Sequence, residues 1–86
     1  MTALEQARQT VDEVDRQMAE LFVRRMDAVR VIGAYKKEHG LPVFDPEREK
    51  TVLENGAAAV PEAYRAYFVR LLSAVTQLSR EFQETL

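Results

Sequence analysis

Residues 4–36 read LEQARQTVDEVDRQMAELFVRRMDAVRVIGAYK. Taken in sevens, Leu4, Val11, Met18, Arg25 and Ile32 occupy one column and Ala7, Val14, Leu21, Ala28 and Tyr35 the other, which is the seam of a single amphipathic helix. No proline or internal cap interrupts the pattern before Gly40, so about 34 residues at ~1.5 Å rise predict a rod of roughly 50 Å. A compact domain of this size has a radius of gyration near ~12 Å, and such a rod projects from it with much of its seam in water. A second copy, its long helix antiparallel to the first, is the simplest cover for that seam.

The limits of the rod are written on either side of it. Thr2 suits the N-cap position, with Glu5 three residues later as its capping-box partner. Lys36 and Lys37 complement the negative C-terminal end of the dipole, Gly40 suits a left-handed turn, and Pro42 forbids continuation. Leu41, Val43 and Phe44 form a short apolar connector expected to fold back onto the helices. Asp45-Pro46, followed by Glu47 and Glu49, is an N-cap with proline in the first turn. A second helix of about 10 residues is expected, with Asn55-Gly56 as its stop. Pro61 suits the first position of a third helix, whose apolar face is Tyr64, Phe68, Leu71, Val75, Leu78 and Phe82. The expectation is all-α: long helix, short helix, long helix.

The 86 residues suffice for one domain, taken as 1–86, but give a single-chain core that is marginal. Net charge is -2 with acids and bases interspersed, which argues against nucleic acid and anionic membranes as partners. There are no cysteines, so disulfide scaffolds and thiol catalysis are excluded. Met1 to Gln9 is polar and no apolar run approaches membrane-spanning length, from which a soluble cytoplasmic protein is expected. The single histidine, His39, has no ligand-spaced companions, so no metal site is expected. Tyr35, Tyr64 and Tyr67 lie on or beside apolar stripes and are expected in a core or interface.

Charges interrupt the apolar pattern at informative places. Arg25 sits in the seam, where an unpaired guanidinium is costly to desolvate. Lys36 follows eleven residues later, within ~20° of Arg25 around the helix and roughly 16 Å along it. Long side chains from both can close on a small anion lying between them. Arg8 is about 25 Å from Arg25 on the same rod and cannot share that pocket. In an antiparallel dimer, however, Arg8 of one chain approaches Arg25 and Lys36 of the other, and symmetry gives two such sites. On the second helix Arg48 and Glu49 follow Asp45, and on the third Ser79 and Gln83 stand one turn apart. Each has a plainer reading. Arg8 is a surface cation, Arg25 an interface ion pair with Asp15 or a glutamate, and Lys36 a dipole partner. Arg48 with Glu49 is a solvated face, and Ser79 with Gln83 a polar edge.

Ala7-Arg8, Val11-Asp12-Glu13-Val14-Asp15, Arg24-Arg25-Met26, Lys36, Leu41-Pro42-Val43-Phe44-Asp45-Pro46-Glu47-Arg48-Glu49 and Ser79-Arg80-Glu81-Phe82-Gln83 together resemble the all-helical chorismate mutase family, in that family's order. The resemblance implies an interlocked homodimer of long, short and long helices. It implies that Arg25, with Arg8 of the partner chain, grips the two carboxylates of chorismate. Lys36 and Gln83 would donate to the ether oxygen of the breaking bond, with Lys36 also near a carboxylate. Asp45, through its backbone, and Glu49 would hold the ring hydroxyl, Ser79 would support a carboxylate, and Arg48 would add positive field. Phe44 is a bulky residue where relatives vary.

The implied reaction, chorismate to prephenate, is an intramolecular rearrangement needing no nucleophile, metal or cofactor. The protein must select a compact conformer and stabilise charge on the ether oxygen as the C–O bond breaks. Gln83 donates without first gaining a proton, so no acid requirement is expected. Two rivals share the fold: an isochorismate pyruvate lyase, with which Arg24-Arg25-Met26-Asp27 is compatible, and a weakly active helical module activated by a shikimate-pathway enzyme. Glu49 after Arg48 resembles the mutases. A chain of this length has no room for a fused dehydratase, dehydrogenase or amino-acid-binding domain, so feedback control within it is not expected.

Overall fold

A computed structural model describes residues 1–86. Helices α1 (Ala3–Glu38), α2 (Pro46–Ala58) and α3 (Glu62–Glu84) follow in the order long, short, long, without strands. Thr2 caps α1, its hydroxyl accepting from the Glu5 N–H at 3.1 Å. That hydroxyl also donates to the Glu5 carboxylate at 3.2 Å, so Glu5 returns to the cap through the Thr2 side chain. At the other end Gly40 takes φ 64°. The Gly40 N–H donates to Lys37 O at 3.4 Å and the Leu41 N–H to Lys36 O at 2.8 Å, a Schellman closure that turns the chain away at the expected place.

The second helix does not stop at Asn55-Gly56. It continues to Ala58 because Gly56 keeps helical backbone and is buried where α2 meets α3. A Cβ there would collide with Leu72 Cδ1 and lie 3.4 Å from Phe68 Cε2. Close helix approach, not a turn, requires that glycine. Arg65 Nε donates to Ala57 O at 2.7 Å, satisfying one carbonyl at the end of α2. Pro61 stands one place earlier than expected, at the cap position, and α3 begins at Glu62.

Helix α3 packs on both other helices, whereas α1 and α2 do not pack on each other. Arg25 with Ser79, and Gly33 beside Gln83 and Leu86, show α3 running parallel to α1. Glu49 with Arg80, and Gly56 beside Leu72, show it antiparallel to α2. The consequence is a V whose closed end gathers the C-terminal halves of α1 and α3 with the N-terminus of α2.

One chain buries little. Val29 is the only buried large hydrophobic residue, no side chain is fully buried, and every residue from 1 to 24 is exposed. The molecule measures 56 × 25 × 15 Å with a radius of gyration of 16.0 Å, against about 12 Å for a compact chain of this length. Tyr35, Tyr64 and Tyr67 are exposed within the chain. Leu41 and Phe44 also stay exposed and only Val43 of the connector is half-buried; the Phe44 ring meets the Arg80 guanidinium, 4.8 Å from its centroid, instead of an apolar core. No helix is long and apolar enough to cross a membrane.

Candidate active site

A cavity of about 130 Å³ opens at the closed end of the V. Helix α1 supplies Arg25 and Lys36, the connector Asp45, α2 Arg48 and Glu49, and α3 Arg80 and Gln83. Two cations three turns apart on α1 thus face one space, as helical rotation requires.

Each side chain is held by something specific. Arg25 Nη1 donates to Ser79 Oγ at 2.5 Å, and that hydroxyl donates in turn to Val75 O at 2.8 Å. Ser79 is buried at 5 % exposure and stands behind Arg25, not on the cavity wall, so it acts through the arginine. Lys36 Nζ donates to Val43 O at 2.7 Å, pinning the connector across the mouth. The Asp45 carboxylate accepts from the Arg48 N–H at 3.1 Å, and its carbonyl from the Glu49 N–H at 3.0 Å. The Asp45 side chain is thereby spent on capping α2, which leaves the Arg48 guanidinium at the exposed rim.

Two groups carry unmet polar demand. Glu49 Oε1 is gripped by Arg80 Nη1, whereas Glu49 Oε2 is buried with no hydrogen-bond partner. Gln83 Nε2 donates to Ser79 O at 3.3 Å, and Gln83 Oε1 is likewise buried and unpaired. An amide nitrogen carries two hydrogens, so Gln83 keeps one to give. Buried polar atoms without partners are uncommon in folded proteins. Two in one cavity, from α2 and α3, suit a ligand that supplies what is missing.

Arg80 carried no assigned role in the sequence, although it stands on the same face of α3 as Gln83, three residues on. Spacing along α3 was the available signal; its partner Glu49 lies on another helix and has none. The hydrogen bond to Glu49 raises the Arg80 pKa above its ordinary value, so this guanidinium stays charged at every working pH. With Arg25, Lys36, Arg48 and Arg80 set against Asp45 and Glu49, the cavity carries two positive charges in excess and draws an anion.

Arg8 is not brought to this cavity. It lies on the bare N-terminal half of α1. Beside that half, between α1 and α3, runs a larger groove of about 560 Å³ lined mostly by apolar side chains, among them Met18, Phe22, Leu71 and Val75. It offers little to grip an anion and has the character of an uncovered seam. No group of three or more metal-ligating side chains is gathered anywhere in the chain.

Residues 7–84 match the family model described as chorismate mutase type II. Over 54 residues the chain is 41% identical to the T-protein of Haemophilus influenzae, a match covering 63% of this chain and 14% of that protein. Over 51 residues it is 31% identical to the chorismate mutase of Methanocaldococcus jannaschii, covering 59% of this chain and 52% of that one. The chain thus spans about half the length of one curated relative and a small part of the other. A solved structure titled "Conserved hypothetical protein from Pyrococcus furiosus Pfu-1581948-001" superposes with a TM-score of 0.77 at 29% identity, covering 96% of this chain and 97% of that one. Because the family match runs through all three helices and includes every residue placed around the cavity, this chain belongs to the chorismate mutase type II family.

Proposed function

We propose that the protein converts chorismate to prephenate in a site completed by a second copy of the chain. The observation that carries this reading is the cavity's excess of two positive charges over its own carboxylates, the complement of a small dianion. Family membership names the dianion. Arg25, steadied by Ser79, takes one carboxylate in a fork that fits its planar geometry. The partner's Arg8 takes the other.

The second copy is supported by what one chain leaves bare. Leu4, Val11, Val14, Met18 and Leu21 are each more than two-fifths exposed along one side of α1. Each is worth about 1.5–3 kcal/mol when fully removed from water. Two α1 helices packed antiparallel bury these columns and carry Arg8 of each chain toward the cavity of the other.

Within the site, the ether C–O bond breaks as a C–C bond forms in the same molecule, so nothing enters or leaves. Negative charge gathers on the ether oxygen, where the Lys36 ammonium and the spare Gln83 N–H contribute more to the transition state than to the ground state. Lys36 gives one N–H to Val43 O and keeps two more for the ligand. Glu49 Oε2 and the Asp45 backbone receive the ring hydroxyl, and Arg48 adds positive field at the rim.

The direct test is incubation of purified protein with chorismate, following its loss and the appearance of prephenate, beside incubation with isochorismate, following salicylate and pyruvate. Prephenate formation that falls at least a hundredfold in Lys36→Ala supports the proposal, in line with about 2.7–4 kcal/mol for a lost transition-state donor. Salicylate and pyruvate without prephenate would assign a lyase instead. Turnover that appears only on adding a shikimate-pathway enzyme would make the chain an activated module.

A further inference from the structure

Arg80 adds to the cavity's positive charge but has no contact with the ligand assigned to it, and its own contacts within the chain are specific. Its guanidinium pairs with Glu49 Oε1 and lies against the Phe44 ring, 4.8 Å from the centroid. Arg80 is one-third exposed and Glu49 about one-fifth, so the pair sits at the edge of the cavity with its carboxylate turned inward from solvent. The other Glu49 oxygen is buried and has no donor. An ionised carboxylate accepts at both oxygens, and leaving one desolvated and empty is unfavourable.

We infer that Arg80 is a positioning residue for ligand selection: held by the Phe44 ring, it fixes one oxygen of Glu49 so that the other is kept for a hydroxyl on the ring of the bound dianion. The inference rests on the proposed function and adds to it a determinant of which dianion is accepted. Without the guanidinium, Glu49 is free to swing toward water and satisfy both oxygens there. A hydroxyl-bearing ligand then loses its acceptor as well as the attraction of one cation, whereas a ligand without the hydroxyl loses only the latter. Arg80 thus acts through geometry across two helices and the connector. That also gives Phe44 a purpose: an aromatic face that keeps a long, entropically costly side chain in one rotamer.

The experiment compares wild type, Arg80→Ala, Arg80→Lys, Phe44→Ala, Glu49→Ala and the Arg80→Ala/Glu49→Ala double variant. Each is measured for chorismate turnover, for competitive binding of a chorismate analogue lacking the ring hydroxyl, and for thermal unfolding. Wild-type turnover comes first, since its absence overturns the mutase reading. With turnover established, Arg80→Ala is expected to lower kcat/KM for chorismate about tenfold or more, the scale of one hydrogen bond to a charged group. Arg80→Ala should lower kcat/KM for chorismate by more than it weakens the hydroxyl-free analogue, whose loss reflects only the missing positive charge, and it should cost less in the Glu49→Ala background than in the wild type. Arg80→Lys should recover part of the loss. Phe44→Ala, which leaves the ion pair in place, should show a smaller loss in the same direction and serves if Arg80→Ala fails to fold. Equal weakening of both ligands, or additive losses in the double variant, would overturn the inference while leaving the mutase reading intact.

Discussion

Arg25 and Ser79, fifty-four residues apart in sequence, are joined by a 2.5 Å hydrogen bond between α1 and α3. The Ser79 hydroxyl spends its one proton on Val75 O, so it faces Arg25 as an acceptor and fixes where the guanidinium can point. In Ser79→Ala the arginine keeps its charge but loses its direction. The expected result is a fall in kcat/KM of about tenfold with a loss of stability near 1 kcal/mol, the usual worth of a buried hydrogen bond. Steady-state kinetics beside thermal unfolding check it, and kinetics that stay at the wild-type level would mean Arg25 needs no such support.

Gly33 offers the reverse combination, activity lost without stability. A Cβ placed there meets Leu86 Cδ1 at 2.5 Å and Gln83 Cγ at 3.0 Å. The Leu86 side chain can swing aside, whereas Gln83 is held by α3 and must shift its amide. Alanine in a helix interior is favoured over glycine by about 1 kcal/mol. Gly33→Ala is therefore expected to leave the unfolding midpoint unchanged or slightly higher while lowering kcat several-fold. A lowered midpoint with normal kcat would show that the packing, not the Gln83 amide, is what the glycine protects.

The elements whose signals are local were legible in the sequence. Thr2, Gly40, Asp45 and Pro46 act within one turn of themselves, and each does what its residue type suggests. Gly56 was misread because the same residue serves for a turn and for a close helix contact, and Leu72, which decides between them, lies on another element. Among the site residues, Arg25 and Lys36 were readable together because helical rotation alone puts them on one face. Arg80 was not, since its meaning lies in Glu49 and Phe44, which only the fold brings near. Ser79 was found by resemblance, but its position behind Arg25 is a fact of packing. Tyr64 and Tyr67 follow the apolar stripe yet remain more than three-fifths exposed, because α3 leaves α1 at the open end of the V.

On the proposed mechanism the identity of residue 83 sets the pH response. Gln83 is an amide and donates in the same form at every pH, and Arg80, its pKa raised further by Glu49, does not titrate in the working range. Wild-type kcat is expected to be flat on the acid side of neutrality, with no rise as pH falls. In Gln83→Glu the donor must first be a protonated carboxyl. Above the pKa of that carboxyl the active fraction falls about tenfold per pH unit. The variant should approach wild-type kcat only in acid, and a flat profile for it would remove Gln83 from the ether oxygen.

Sharing of the site between copies has a quantitative signature. Arg8→Ala alone and Arg25→Ala alone should each lose most activity, since each removes one of the two groups proposed to hold the dianion. In a mixed dimer one site combines the intact Arg25 of one chain with the intact Arg8 of the other, while the second site carries both lesions. Random exchange of equal amounts makes half the dimers mixed, so about a quarter of the sites recover. Activity should rise toward that level after the two variants are co-refolded or exchanged, and mass in solution should match two chains. Because Arg8 sits on the fully exposed half of α1, remote from its own chain's cavity, a monomer could not bring it to the ligand. Full activity from Arg8→Ala, or no recovery on mixing, would confine the site to a single chain.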